Sequence, residues 1–220
     1  AIAKKHHLKV IYDAAHCFGV TYKGKSIFNY GDVSTCSFHA TKLFHTGEGG
    51  ALLCQDEATK QEMWYRHNFG HDGPGNYHGL GLNAKMSELQ AAMGLSMLPY
   101  MEHIIAERKR VCTYYDDHLD FTKLSKLKLR KGTCWNYAYY PLIFESEDQL
   151  LKVMKQLALQ DIYPRRYFYP SLEELPYIQT STCPVAKDLA NRVMCLPLYD
   201  SLTKEELSKI LEILKNTFNV

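Results

Sequence analysis

Long apolar runs are missing from this sequence. No stretch is apolar enough for long enough to span a bilayer, which excludes a helical membrane protein. The opening Ala-Ile-Ala-Lys-Lys-His-His lacks the apolar core of a signal peptide. An excess of charge is missing too. The net charge of +2 is too small to argue for a nucleic-acid partner. Cysteine pairs at metal or redox spacing are absent. Cys17, Cys36, Cys54, Cys112, Cys134, Cys183 and Cys195 are odd in number and widely spaced, with no C-x-x-C. That excludes a disulfide framework and a zinc knuckle and points to the reducing cytoplasm. Most of these cysteines are expected to be small buried apolar residues. His39, His45, His67, His71 and His78 fit no H-E-x-x-H pattern, so no metal is expected. The glycines form neither G-x-G-x-x-G nor G-x-x-x-x-G-K-[ST], which leaves nucleotide binding by those motifs unsupported. There is no internal repeat. No Met opens the chain, and its first residues read as the tail of a helix running into a strand, so the chain is expected to be a fragment.

What is present is an ordinary globular composition, 46% hydrophobic and 23% charged, on a 220-residue chain long enough for a real core. Short strand-like runs at 8–12, 33–38 and 50–54 alternate with helical segments, which makes this an α/β chain. A helix over 56–66 carries Asp56 as its N-cap. The Gly-, Asn- and His-rich segment 68–83 reads as a long loop, and long ordered loops tend to be functional. A helix is expected over 84–98, with Met86, Leu89, Ala92 and Met93 on one face. Pro99 then fits the first turn of a second helix reaching towards Leu119. Beyond Phe121 the texture changes. The basic run Lys123, Lys126, Lys128, Arg130 and Lys131 reads as solvated surface. An aromatic strand over 135–144 precedes helices over 146–160, 184–191 and 203–216, with extended chain over 161–169. The last helix opens on the capping-box pattern Thr203-Lys-Glu-Glu206. A domain boundary is placed near Asp120.

Two segments carry candidate chemistry. Tyr12-Asp13-Ala-Ala-His16 sets a carboxylate at a strand end with an imidazole three residues on. Ser37-Phe-His-Ala-Thr-Lys42 brings a lysine out of a strand, before Gly47-Glu-Gly-Gly50. Pyridoxal phosphate needs such groups: an amine for its aldehyde, a carboxylate to keep the pyridine nitrogen protonated, and donors for its phosphate. Asp13, Lys42 and Ser37 meet that need if their strands lie side by side, with His16 near the ring or its hydroxyl. Each residue alone has a plainer reading. An Asp after a strand caps a turn, a lysine is usually exposed, and a serine bonds to backbone.

The ordered set Asp13-Ala-Ala-His16, Ser37-Phe-His-Ala-Thr-Lys42, Gly47-Glu-Gly-Gly50, Arg66-His-Asn-Phe-Gly70 and Asn83-Ala-Lys-Met-Ser-Glu-Leu-Gln-Ala-Ala92 resembles the DegT/DnrJ/EryC1/StrS family of sugar aminotransferases. The similarity runs on through Pro164-Arg-Arg-Tyr-Phe-Tyr-Pro170 and Cys195-Leu-Pro-Leu-Tyr199. The resemblance implies an aspartate-aminotransferase-like fold (fold type I). Residues 1–120 would be the C-terminal part of the large cofactor domain with its connecting helix, and 121–220 the small α/β domain. It implies pyridoxal 5'-phosphate as cofactor, with Asp13 on the pyridine nitrogen, His16 by the ring, Ser37 on the phosphate and Lys42 bound to the aldehyde and moving the proton. Asn83 would reach the phosphate of the partner in a homodimer, although from the residues alone it could equally cap the helix after it. The implied reaction moves an amino group from glutamate to a keto group of a dTDP- or UDP-linked deoxysugar. Two alternatives stand beside it: a dehydratase of the same family, which replaces the lysine and which Lys42 argues against, and a truncated unit serving only folding or dimerisation.

Overall fold

The computed structural model describes residues 2–179 and 182–218. The chain divides into two units, Ala1–Glu102 with Arg130–Asn136, and His103–Leu129 with Tyr137–Val220. The expected boundary near Asp120 falls inside the second unit. The long helix and the segment that returns to the first unit, both described below, account for the difference.

The first unit opens with a short helix, α1 (Ile2–Lys5), and Ala1 lies outside the described residues. The strand that follows is β1 (Ile11–Asp13), three residues later than the expected start at Leu8. Leu8 instead bonds back to α1, its N–H reaching the Ala3 carbonyl at 2.9 Å. A two-residue hairpin joins β2 (Thr21–Tyr22) to β3 (Lys25–Ser26). Its turn residues Lys23 and Gly24 both have positive φ, 50° and 74°, as a primed hairpin turn requires. Strand β4 (Val33–Ser37) runs parallel to β1 and antiparallel to β5 (Gly50–Cys54), in the order β1-β4-β5. Alternation along β4 buries Ser34 and Cys36 and leaves Val33, Thr35 and Ser37 half-buried, the two-residue period of a strand. Helix α2 (Glu57–His67) starts at the expected cap, with Asp56 accepting the Thr59 N–H at 2.7 Å.

Segment 68–83 is more ordered than its composition suggests. Phe69 N–H bonds Leu82 O at 2.9 Å, His78 N–H bonds Gly70 O at 2.8 Å, and Leu82 N–H bonds Arg66 O at 2.7 Å. Gly81 lies so close to Gly70 that a Cβ on it would stand 2.1 Å from the Gly70 nitrogen, so the crossing admits no side chain. Glu62 of α2 fastens the outer arm, taking Arg66 Nε and His78 Nε2 at 2.6 Å each, and the His78 ring stacks on Tyr65 at 4.3 Å.

Helix α3 (Glu88–Met97) begins four residues later than expected, because Ser87 and Gln90 form a capping box there. Asn83 is therefore not its cap. The expected apolar face is also corrected: Leu89 is 84% exposed, and the buried residue is Gly94, whose small size lets the helix approach Phe44 and Thr46. Pro99 lies in a short 3-10 turn, Leu98–Tyr100, just before α4 (Met101–His118) and not in its first turn.

The buried residues of α4 past its first turn, Val111, Cys112 and Tyr115, belong to the second unit, where the Tyr115 hydroxyl donates to Pro197 O at 2.8 Å. Strands β6 (Ser125–Lys126), β8 (Pro141–Ile143) and β9 (Val193–Cys195) form its antiparallel sheet in the order β6-β8-β9. Between β6 and β8 the chain leaves for β7 (Thr133–Cys134), which pairs with β2 and so places Arg130–Asn136 in the first unit. The expected aromatic strand over 135–144 is therefore cut to its last part, and Tyr137, at φ 54°, is left-handed and breaks the extended run. Helices α5 (Glu147–Ala158), α6 (Pro184–Arg192) and α7 (Lys204–Phe218) complete the unit. Ser146 caps α5, and the Thr203–Glu206 capping box is present in both directions, at 2.8 and 3.2 Å. Leu142, Leu150, Val153, Leu157, Met194 and Leu207 are fully buried, each side chain contributing about 2 kcal/mol of apolar burial. Segment 161–169 forms no strand beyond an isolated bridge between Arg165 and Cys195.

Candidate active site

The carboxyl ends of parallel β1 and β4 share one edge of the first unit's sheet, where open α/β sheets bind ligands. Asp13 is the last residue of β1, in register with Thr35, and its exposed carboxylate accepts the Ala15 N–H at 3.1 Å. Pairing continues past the strand. Ala14 N–H donates to Thr35 O at 3.0 Å and Ser37 N–H to Ala15 O at 3.4 Å. These bonds tie the turn from Asp13 to His16 against the end of β4, and so put Asp13 and Ser37 on the same edge. Buried Asn136 braces the turn from the other side, its Nδ2 donating to His16 O at 3.0 Å and Phe18 O at 2.7 Å.

Lys42 stands on a loop that is closed on itself. Phe38 N–H bonds Gly49 O and Thr46 N–H bonds Phe38 O, both at 2.9 Å, while Lys42 N–H bonds His39 O at 2.9 Å. Beneath it, the Phe44 ring stacks on Phe18 at 4.4 Å and meets Phe38 edge-on at 5.0 Å. A Cβ on Gly49 would stand 2.5 Å from Thr46 Oγ1, so glycine is what lets the loop close. Ser37 Oγ accepts the His39 N–H at 3.3 Å, which leaves its own proton free to be donated.

The charges of Lys42 and Asp13 both act on His16. Burial lowers the pKa of His16, the nearby Lys42 charge lowers it further, and Asp13 pulls the other way. His16 therefore carries a neutral imidazole at pH 7, between a cation and an anion. Burial also raises the Cys17 thiol, with Asp13 adding to the effect, and pushes Cys36 up to about 11. Both thiols stay protonated at neutral pH, but the expectation that most cysteines are buried is corrected: only Cys36 and Cys112 are, Cys17, Cys54 and Cys195 are half-buried, and Cys134 and Cys183 are exposed.

Asn83 does not join this group. It bridges to Asn68, and its Oδ1 accepts from Lys85 Nζ at 2.6 Å. A cleft of about 600 Å³ in this unit is lined by Thr35, Cys36, Gly50, Trp64, Lys85 and Met86, neighbours of the candidates, and includes none of the five themselves. Among the described residues no group of three His, Cys, Asp or Glu is placed to hold a metal ion.

A profile of the DegT/DnrJ/EryC1/StrS aminotransferase family matches residues 1–215. The chain belongs to that family. It is 37% identical over 224 aligned residues to a dTDP-4-amino-4,6-dideoxy-D-glucose transaminase of Shigella dysenteriae, covering 97% of this chain and 60% of the relative. A GDP-perosamine synthase of Caulobacter vibrioides is 29% identical over the same shares. Among solved structures, DesI in the presence of its TDP-sugar product superposes with a TM-score of 0.88 at 31% identity, covering 98% of this chain and 57% of that one. The chain thus spans about 60% of the length of the curated relatives it matches. The expected aspartate-aminotransferase-like fold is borne out for that span.

Three of the DegT/DnrJ/EryC1/StrS motifs, Asp13–His16, Ser37–Lys42 and Gly47–Gly50, fall on the edge just described, and the structure adds residues that reading the sequence passed over. His39 Nδ1 accepts the Thr41 N–H at 3.2 Å and lies 2.8 Å from Thr41 Oγ1. The other ring nitrogen, Nε2, faces Glu48 at 3.6 Å. His39, Thr41 and Glu48 thereby brace the residue next to Lys42. The signal in the sequence is their position inside the lysine motif. Lys85 is the other omission: it stands inside the Asn83–Ala92 motif, and its bond to Asn83 is not visible in the sequence. Among the described residues no helix is long and apolar enough to cross a membrane.

Proposed function

We propose that the protein transfers an amino group from glutamate to a keto group of a nucleotide-linked deoxysugar, using pyridoxal 5'-phosphate. The observation that carries this reading is the edge formed where parallel β1 and β4 end, with Asp13 and Ser37 on the strands, His16 on the turn after β1 and Lys42 on the loop after β4, its charge acting on His16. The donor set suits the cofactor: an exposed carboxylate, a neutral imidazole, an amine and a hydroxyl with a free proton. Asp13 would hold a proton on the pyridine nitrogen. Neutral His16 would lie by the ring without adding charge to it. Ser37 would donate to the phosphate. The cofactor's conjugated ring takes up the electron pair left when a proton leaves the substrate carbon. Lys42 would hold the cofactor through its aldehyde. Once displaced by the amino donor, its free amine would accept the proton from the substrate carbon and return it at the cofactor's C4′ carbon. The dTDP or UDP reading of the acceptor is supported by the Shigella relative, whose name carries dTDP.

Lys42 counts against the dehydratase alternative, which lacks the lysine. The same proposal takes 1–120 as part of the large domain and 121–220 as the small one, in a cytoplasmic homodimer where Asn83 reaches the partner's phosphate. Borohydride reduction of the full-length protein with its cofactor, followed by peptide mapping, tests the assignment. The pyridoxyl label is expected on Lys42; a label on Lys85 or any other lysine overturns it. Mixing Lys42→Ala and Asn83→Ala subunits tests sharing. Activity above both parents is expected, and its absence despite proven exchange counts against a shared site.

A further inference from the structure

We infer that Lys85 is a positioning residue that orients the Asn83 carboxamide towards a phosphate. The inference rests on the reading of Asn83 as a phosphate ligand and adds how that side chain is aimed. A carboxamide on an exposed loop can present either its oxygen or its nitrogen, and only the nitrogen end donates to an anion. Here the choice is made by Lys85, whose Nζ donates to Asn83 Oδ1 at 2.6 Å. The oxygen is thereby occupied, which leaves the Nδ2 group, with its two N–H bonds, as the end that can donate to an anion.

Lys85 is itself held. Its ammonium sits over the Phe69 ring, 4.0 Å from the centroid. Phe69 has a φ of 58°, a conformation that non-glycine residues rarely adopt, and its N–H is fixed to Leu82 O at 2.9 Å. Leu82 N–H is fixed in turn to Arg66 O of α2 at 2.7 Å. The order of the loop thus passes from α2 through Leu82 and Phe69 to Lys85, and from Lys85 to Asn83. A freely rotating lysine could not hold a neighbouring amide in one sense. A lysine stacked on a fixed ring can.

The test is binding of pyridoxamine 5'-phosphate, which carries the phosphate but forms no bond to Lys42, to the cofactor-free full-length protein by fluorescence titration. Asn83→Ala is expected to raise the Kd about tenfold, the loss of one hydrogen bond to a charged group. Lys85→Met is expected to raise it about fivefold by releasing the amide. In an Asn83→Ala background, Lys85→Met is expected to change it less than about twofold, because there is no amide left to aim. Lys85→Arg, which can still stack on Phe69 and donate to Oδ1, is expected to restore most of the affinity. Lys85→Met with an unchanged Kd, beside a weakened Asn83→Ala, overturns the positioning role and leaves Asn83 a phosphate ligand. Full additivity of the two substitutions overturns it as well, because Lys85 would then act on the phosphate by its own charge. An unchanged Kd in Asn83→Ala overturns the phosphate reading and this inference with it.

Discussion

The two units of this chain handle apolar surface in opposite ways. In the second, the sheet and helices close over one another: Leu142 and Met194 of the strands are fully buried, with Leu150, Val153 and Leu157 of α5 and Leu207 of α7. In the first, apolar side chains of the sheet are exposed in this chain, which spans about 60% of the length of its curated relatives: Ile11 is 70% exposed, Tyr12 48% and Leu52 49%. The groups able to do chemistry are on that open sheet's edge. A closed core makes a unit sensitive to the loss of volume. An open edge makes it sensitive to the loss of particular functional groups, because few neighbours depend on their packing. Substitutions should therefore cost activity in the first unit and stability in the second.

The largest effect is expected at Asp13. Asn in its place keeps the shape but cannot hold a proton on a pyridine nitrogen by charge. Asp13→Asn in the full-length protein should lower kcat by about two to three orders of magnitude, a scale typical for losing a group that acts on charge in the reaction. The folded structure and much of the bound cofactor should remain, because Asp13 is exposed and its recorded bond is to its own turn. Steady-state rates and the cofactor's absorbance spectrum check both. Near-normal turnover would reduce Asp13 to a strand cap and remove the contrast between the units.

Leu150→Ala tests the other side. Leu150 has no solvent exposure, and truncation there leaves a cavity. A loss of about 3 kcal/mol is expected, read as a lower denaturant midpoint, while Leu89→Ala on exposed α3 should stay within about 0.5 kcal/mol. Equal losses at the two sites would show that α3 is covered in the working protein as thoroughly as α5 is.

Much of this contrast was legible in the sequence, though unevenly. The helices of the second unit were found nearly to their ends, because amphipathic spacing and caps such as Ser146 and Thr203 are local signals. Strand β5 was placed correctly, and β4 to within one residue, since short apolar runs bounded by glycine are local too. Asp13, His16, Ser37 and Lys42 were named, yet the strand edge they belong to was not visible, because parallel pairing of β1 with β4 joins residues 22 apart (Ile11 with Val33) and leaves no local mark. The pieces β2, β3, β6 and β9 were missed for the same reason: each is two or three residues long and exists through its partner. Segment 68–83 was read as a long loop, and its polar composition gave no sign of the backbone bonds that order it. The face of α3 was misassigned because periodicity does not tell which side has something to pack against. Gly94, which looks like a weak point in a helix, is the contact.

The smallest effect expected is the one most specific to the site. The pKa of His16 is lowered, by burial first, then by Lys42, with Asp13 opposing. A histidine whose folded pKa lies below its unfolded value binds fewer protons in the folded state. Stability contributed by keeping it neutral is therefore present above the unfolded value of about 6.5 and is lost as pH falls through that value towards the folded one. The denaturant midpoint should fall between pH 7 and pH 5, and His16→Asn should remove part of that slope. Two further substitutions give the slope opposite signs. Lys42→Met removes a cation from beside the ring, so the His16 pKa should rise and the slope should shrink. Asp13→Asn removes the opposing anion, so the pKa should fall further and the slope should steepen. Proton NMR titration of His16 in the three proteins reads the ordering directly. Both substitutions moving His16 the same way, or neither moving it, would mean that Asp13 and Lys42 do not share an edge with it, and the grouping on which the proposed chemistry depends would be lost.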